Sequence, residues 1–237
     1  MNTRHFSVAL ACTASMLLAP LAMAQDSAQP KIEVAIGKQV PDFTLKGSDG
    51  KEHTLSSHWK TDKQPGQYVV LEWFNNECPF VDKHYATGNM QRLQKKFTED
   101  GAAWYTVASS QEGSQGYIAD KEAAQKIMEK RGIKDSIILL DAEGVAFEAF
   151  KAITTPHMFL ISPEGKLLYH GAIDDKRQFN HDSVKGAKNF VEAAYQEAKE
   201  GKTVSTPYER QYGCTIKQDP KKTKTQASLT EATAPLL

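Results

Sequence analysis

The chain has 237 residues, 40% of them hydrophobic and 24% charged, which suits one globular domain with additional segments at its ends. Its 29 Lys and Arg balance 29 Asp and Glu, so composition gives no electrostatic reason for it to bind nucleic acid or an anionic membrane surface. No internal repeat is present.

Residues 1–24 read as a secretory leader. Arg4 and His5 make a short basic start, Phe6 to Leu21 an apolar core, and Ala22-Met23-Ala24 a cleavage signal before Gln25. The apolar run is short for a bilayer and is broken by Pro20, which favours a cleaved leader over an anchor. A lipoprotein signal is excluded because Ala9, not Leu, stands three residues before Cys12. The expectation is a periplasmic or secreted protein with no membrane attachment after cleavage, in a compartment where disulfides persist. Cleavage removes Cys12 and leaves Cys78 and Cys214, which form either one structural bridge or a working thiol pair.

Gln25 to Lys31 is a polar leader into the domain. Phe43-Thr44-Leu45 and His53-Thr54-Leu55 flank the turn residues Gly47 to Gly50 and predict a β-hairpin. Asp62 to Gly66 is a loop, and the apolar run Tyr68 to Phe74 reads as a central strand buried on both faces. Asn75-Asn76-Glu77 is a polar turn, Cys78 follows, and Pro79 suits the first position of a helix. Cys78 would there face unpaired backbone N–H groups and the positive end of a helix dipole, both of which favour thiolate.

Ala86, Met90, Leu93 and Phe97 give that helix an apolar stripe, ended by Gly101. Ala102 to Ala108 is the next strand, Ser109 to Gly116 a loop long enough to line a site, and Ala119 to Arg131 a helix stopped by Gly132. Ile137 to Leu140 is a short strand and Val145 to Phe150 a brief helix. His157 to Ser162 and Lys166 to Ile173 are strands joined by Pro163-Glu164-Gly165. Val184, Ala187, Phe190, Val191, Ala194, Tyr195 and Ala198 outline a last amphipathic helix. The pattern predicts an α/β fold with a mixed central sheet and helices on both faces. The expected domain spans 33–200, an irregular segment over 201–218 carries Cys214, and the polar stretch 219–237 is expected to be disordered.

The segment VLEWFNNECPFV resembles the thioredoxin active-site strand and turn, and VPDFTLKGSDGKEHTLS resembles the N-terminal hairpin of the redoxin branch, which includes peroxiredoxins and exported TlpA/ResA-like proteins. Thr155-Pro156 followed by HMFLISPEGKLLYHGAIDD is similar to the cis-proline segment and closing hairpin of that branch. Cys78-Pro79-Phe80-Val81, Lys83-His84-Tyr85 and the late Gly213-Cys214-Thr215-Ile216-Lys217 resemble the AhpC/TSA, peroxiredoxin-like redoxins more narrowly. The likeness covers about residues 33–218 and implies a thioredoxin-like fold.

The resemblance implies site residues in turn. Cys78 stands where the family's nucleophilic cysteine stands, and Cys214 is the expected resolving partner if the C-terminal segment folds back on it. Glu72 falls at the buried acid beneath the sulfur, where a raised pKa would let it accept protons from the cysteines. Pro156 matches the cis-proline, and Thr155, Asn75 and Pro79 complete the expected substrate contacts. Two departures limit the match: Val81 replaces the second cysteine of CxxC, and Asn75 replaces the peroxide-binding Thr or Ser. The expected activity is thiol-disulfide exchange with a protein or small thiol or disulfide substrate and a reducing partner thiol, with no cofactor. A peroxiredoxin-type thiol peroxidase, a copper-binding chaperone using Cys78, Cys214 and a histidine, and a scaffold with a purely structural bridge are the alternatives. His84 is read as a packing or surface residue, and His157 lies next to the proline.

Overall fold

The computed structural model describes Met1 and residues 34–219; the expected leader and nearly all of the polar tail lie outside the described residues. The domain starts as a hairpin, β1 (Thr44–Gly47) and β2 (Glu52–Thr54), with Leu45 opposite His53. The chain then runs through β3 (Val69–Trp73), α1 (Pro79–Ala86), α2 (Asn89–Glu99), β4 (Ala103–Ala108), α3 (Lys121–Arg131), β5 (Ile137–Leu140) and α4 (Val145–Phe150). Two strands, β6 (Thr154–Thr155) and β7 (His157–Ile161), flank Pro156, followed by β8 (Leu167–Gly171), α5 (Phe190–Lys199), β9 (Tyr208–Glu209) and β10 (Cys214–Thr215).

The main sheet has the order β2-β1-β5-β4-β3-β7-β8-β9. β4 lies parallel to both β3 and β5, whereas β7 is antiparallel to both β3 and β8, so the sheet is mixed, as the sequence pattern predicts. Every residue of β3 is buried. The strand period of two divides its side chains: Val69, Leu71 and Trp73 enter one core with Phe43, Phe150 and Phe159, and Val70 and then Phe74 enter the other with Leu93, Phe97 and Tyr195. Helices α1, α2, α3 and α5 supply the second core, and α4 with the N-terminal segment supplies the first.

Three expectations are corrected. The stripe from Ala86 to Phe97 belongs to two helices, because Gly88, at φ +74°, takes a left-handed conformation between α1 and α2. The Thr87 hydroxyl donates to the Lys83 carbonyl at 2.7 Å and closes α1. Val184 and Ala187 precede α5, since Gly186 at φ +67° interrupts the chain and the Asn189 side chain caps α5 by accepting from Glu192 N–H at 2.8 Å. The segment after Gly201 contains two short strands. Each is only two residues long, too short to carry a periodic signal.

Phe97 stacks on Tyr195 at 4.2 Å between centroids and meets Trp104 edge-on at 5.3 Å, all inside the helix-covered core. Phe97→Ala is expected to lower stability by about 3–5 kcal/mol, read from the shift of a urea unfolding curve.

Candidate active site

The turn after β3 is held from several sides. Asn75 Oδ1 accepts from Glu77 N–H at 2.8 Å and its amide donates to the Gln115 carbonyl at 3.2 Å. Gly116 packs so closely on this amide that a Cβ there would lie 2.2 Å from Asn75 Oδ1. Arg131 on α3 donates to Asn76 Oδ1 at 2.9 Å and to the Asn76 carbonyl at 2.6 Å, and pairs with Asp82, whose carboxyl it holds below the usual range. Asn75 is thus engaged in fixing the loop, not turned toward an incoming ligand. Ser109, at the start of that loop, is likewise occupied, accepting from Trp73 Nε1 at 3.0 Å and donating to Asp141 at 2.6 Å.

Cys78 is the N-cap residue of α1 and is fully buried. Its side chain makes no hydrogen bond with the helix N–H groups, contrary to the sequence expectation. The sulfur turns instead toward the Thr155 carbonyl, 3.1 Å away, and toward the sulfur of Cys214, 2.8 Å away. Both cysteines are free thiols. Burial pushes the Cys214 thiol up to about 12, reinforced by the adjacent Cys78 and opposed by Lys217. Pro79 is exposed beside the pair, and the Thr155–Pro156 peptide bond is cis.

What brings Cys214 here is the pairing of β10 with β6, antiparallel, with Cys214 opposite Thr155 and Thr215 opposite Thr154. Ile216 N–H extends the ladder to the Ile153 carbonyl at 3.1 Å. Gly213, at φ +130°, passes so close that a Cβ would fall 2.0 Å from the Thr155 oxygen. Tyr212, two residues before Cys214, is buried in the helix-covered core, and Ile216, two residues after it, in the opposite one.

Tyr212 is held by a polar cluster that sequence reasoning missed. Its hydroxyl donates to Asp174 Oδ1 at 2.5 Å and accepts from Lys83 Nζ at 3.2 Å. His84 Nε2 lies 3.2 Å from the same oxygen, while Nδ1 faces the Asn89 amide at 2.9 Å. Because that amide donates, Nδ1 accepts and Nε2 carries the proton toward Tyr212. Burial and the Lys83 charge lower the His84 pKa to about 3, so the ring is neutral. Lys83 is fully buried and also donates to the carbonyls of Lys176 and Gln178, at 2.5 and 2.9 Å. A lysine and an aspartate 129 and 38 residues from their common partner leave no local pattern in the sequence.

Glu72 is fully buried on the same sheet face, where Tyr85, Gln94, Trp104 and Thr106 donate to it at 2.9–3.4 Å. Burial raises its pKa to about 7 despite these donors. None of its hydrogen bonds reaches either sulfur. His157 is buried and neutral, with a pKa lowered to about 3 by burial, and its Nδ1 accepts from Ile153 N–H at 3.3 Å. Among the described residues no three His, Cys, Asp or Glu side chains converge to hold a metal ion. Among them, too, no helix is long and apolar enough to cross a membrane.

A mixed sheet of this order with a thiol pair at the end of its central strand defines a thioredoxin-like protein of the redoxin class. The AhpC/TSA family profile matches residues 36–170, more than half of the chain, and the chain belongs to that family and is an oxidoreductase. The fold is shared with a hypothetical protein of Sinorhizobium meliloti 1021, 23% identical over 80% of this chain and 97% of that one, with a TM-score of 0.65. An uncharacterized conserved protein of Geobacillus kaustophilus is 27% identical over 79% of this chain and 94% of that one, with a TM-score of 0.64. No curated protein matches in sequence.

The raised pKa of Glu72 has a defined sign in stability. Between its ordinary value of 4.5 and about 7 the folded state binds the proton more tightly than the unfolded chain, so stability falls as pH rises through that window. Wild type is expected to lose about 3 kcal/mol more than Glu72→Gln on going from acidic to mildly alkaline buffer. Urea unfolding across a pH series checks this; parallel pH profiles for the two proteins would remove Glu72 as the source.

Proposed function

We propose that this AhpC/TSA-family protein is an exported thiol-disulfide oxidoreductase in which Cys78 and Cys214 cycle between dithiol and disulfide. The observation that carries the reading is the 2.8 Å separation of two sulfurs that lie 136 residues apart in the chain. One thiolate attacks a substrate disulfide and forms a mixed disulfide; the second displaces the remaining substrate thiolate and leaves an internal bridge. Val81 removes the short-range CxxC partner, and Cys214 takes its place in space. Pro156 and Thr155 form the backbone wall of the site, with the Thr155 carbonyl against the Cys78 sulfur. Pro79 offers an exposed apolar rim.

Glu72 has no hydrogen-bonded route to the sulfurs, so the thiol protons pass to solvent or substrate in this reading, and Glu72 acts on the site through the packing of α1 by way of Tyr85. The peroxidase alternative is disfavoured by the engagement of the Asn75 amide with Gln115, and the copper alternative by the lack of a third converging ligand among the described residues. Export rests on the leader-like residues 1–24, and places the exchange in the periplasm or outside the cell.

Redox titration against glutathione or dithiothreitol, with thiol trapping, tests the reading. A cooperative two-electron transition between about −120 and −270 mV, abolished in Cys214→Ser, is expected for a working pair. A bridge still intact below roughly −300 mV would mark a structural staple and end the exchange proposal.

A further inference from the structure

Resting on that exchange reading, the accessibility of the two sulfurs settles a question the pair alone leaves open: which one meets the outside partner, and what kind of partner fits. Cys78 is fully buried, enclosed by the Thr155 carbonyl on one side and the Cys214 sulfur on another. Cys214 is only partly buried and rides on the outer strand of the β6–β10 pair. An extended polypeptide that docks at a thiol site does so by adding a strand to a free backbone edge. Here the edge beside Cys78 is filled: Cys214 and Thr215 pair with Thr155 and Thr154, and Ile216 N–H bonds the Ile153 carbonyl.

The strand that fills it is anchored at both ends. Tyr212 is locked by Asp174 and Lys83, and Ile216 is buried in the opposite core. Further on, Gln111 N–H donates to the Lys217 carbonyl at 2.9 Å, and the Gln218 amide to the Ala142 carbonyl at 2.6 Å. Freeing the edge would mean extracting buried side chains from both cores, an opening well above ordinary loop motion.

We infer that Cys214, not Cys78, is the sulfur that exchanges with the external partner, and that this partner is a low-molecular-weight thiol or disulfide instead of an extended protein segment. In the oxidative direction the Cys214 thiolate attacks one sulfur of R–S–S–R, forming Cys214–S–S–R and releasing one thiolate. The Cys78 thiolate then attacks the Cys214 sulfur, expels the second thiolate and closes the internal bridge. The dithiol loses two electrons, the disulfide R–S–S–R gains them, and the two cysteine protons end on two R–SH. In reverse, a small thiol attacks the Cys214 sulfur and Cys78 leaves. This order inverts the roles that the family resemblance implies for the two cysteines.

The test uses oxidised glutathione as the probe on Cys78→Ser and Cys214→Ser, each compared in native buffer and in urea so that intrinsic thiol reactivity cancels. Cys78→Ser, which keeps only Cys214, is expected to form the mixed disulfide faster than Cys214→Ser by roughly tenfold or more in native buffer, with similar rates in urea. Equal native rates, a faster Cys78, or no native reaction at Cys214 overturn the assignment. For the partner class, the oxidised wild type is offered reduced glutathione or reduced, unfolded ribonuclease A. A rate per thiol at least about tenfold higher for glutathione is expected, and comparable or faster reaction with the unfolded protein overturns it. If wild type closes no internal bridge with oxidised glutathione, the exchange reading itself falls and this inference with it, an outcome distinct from a reversed order of the two cysteines.

Discussion

The site depends on a two-residue ladder, β10 against β6, that brings the end of the domain back to its central strand. So short a ladder contributes only a few hydrogen bonds, each worth about 1 kcal/mol net, and could not hold a strand in place alone. The anchoring side chains do that. Tyr212 and Ile216 enter opposite cores on either side of Cys214, so the strand straddles the end of the sheet and the cysteine has little freedom to leave its partner. Gly213 permits the close pass, because any side chain at that position would run into the Thr155 carbonyl.

A single short helix ties this strand to the centre of the protein. Lys83 and His84 of α1 reach Tyr212, and the next residue, Tyr85, donates to Glu72 at 2.9 Å. A helix that buries a lysine, a histidine and a tyrosine hydroxyl in succession would be costly if any were left without partners. Here the lysine has two carbonyls, the tyrosine of β10's approach and a nearby carboxylate, and the break at Gly88 lets α2 bring Gln94 and Asn89 to the same cluster.

The parts of the fold visible in the sequence are those with a strong local period. The apolar run of β3, the strand Ile137 to Leu140, the hairpin around Pro163 to Gly165 and the helix stopped by Gly132 all fall close to their expected places. The break at Gly88 and the late start of α5 were hidden because apolar residues on both sides keep helical spacing across a glycine that ends the helix. At the site, Cys78, Pro156 and Glu72 could be picked out from neighbouring residues. The closeness of Cys214 to Cys78 and the Lys83–Asp174–Tyr212 cluster depend on contacts across most of the chain, which no window of sequence contains. The direction of the Cys78 sulfur was equally hidden, since residue type and helix position alone suggest the backbone N–H groups and the tertiary fold supplies the Thr155 carbonyl instead.

The span between the two cysteines also sets an order of events during synthesis. A chain made from its N-terminus presents Cys78 with β3 and α1 while the 136 residues leading to Cys214 have yet to follow. Until the last strand docks, Cys78 has no internal partner and no cover from solvent. The final segment therefore completes the redox pair and at the same time shields a thiol that would otherwise stand open to any passing disulfide.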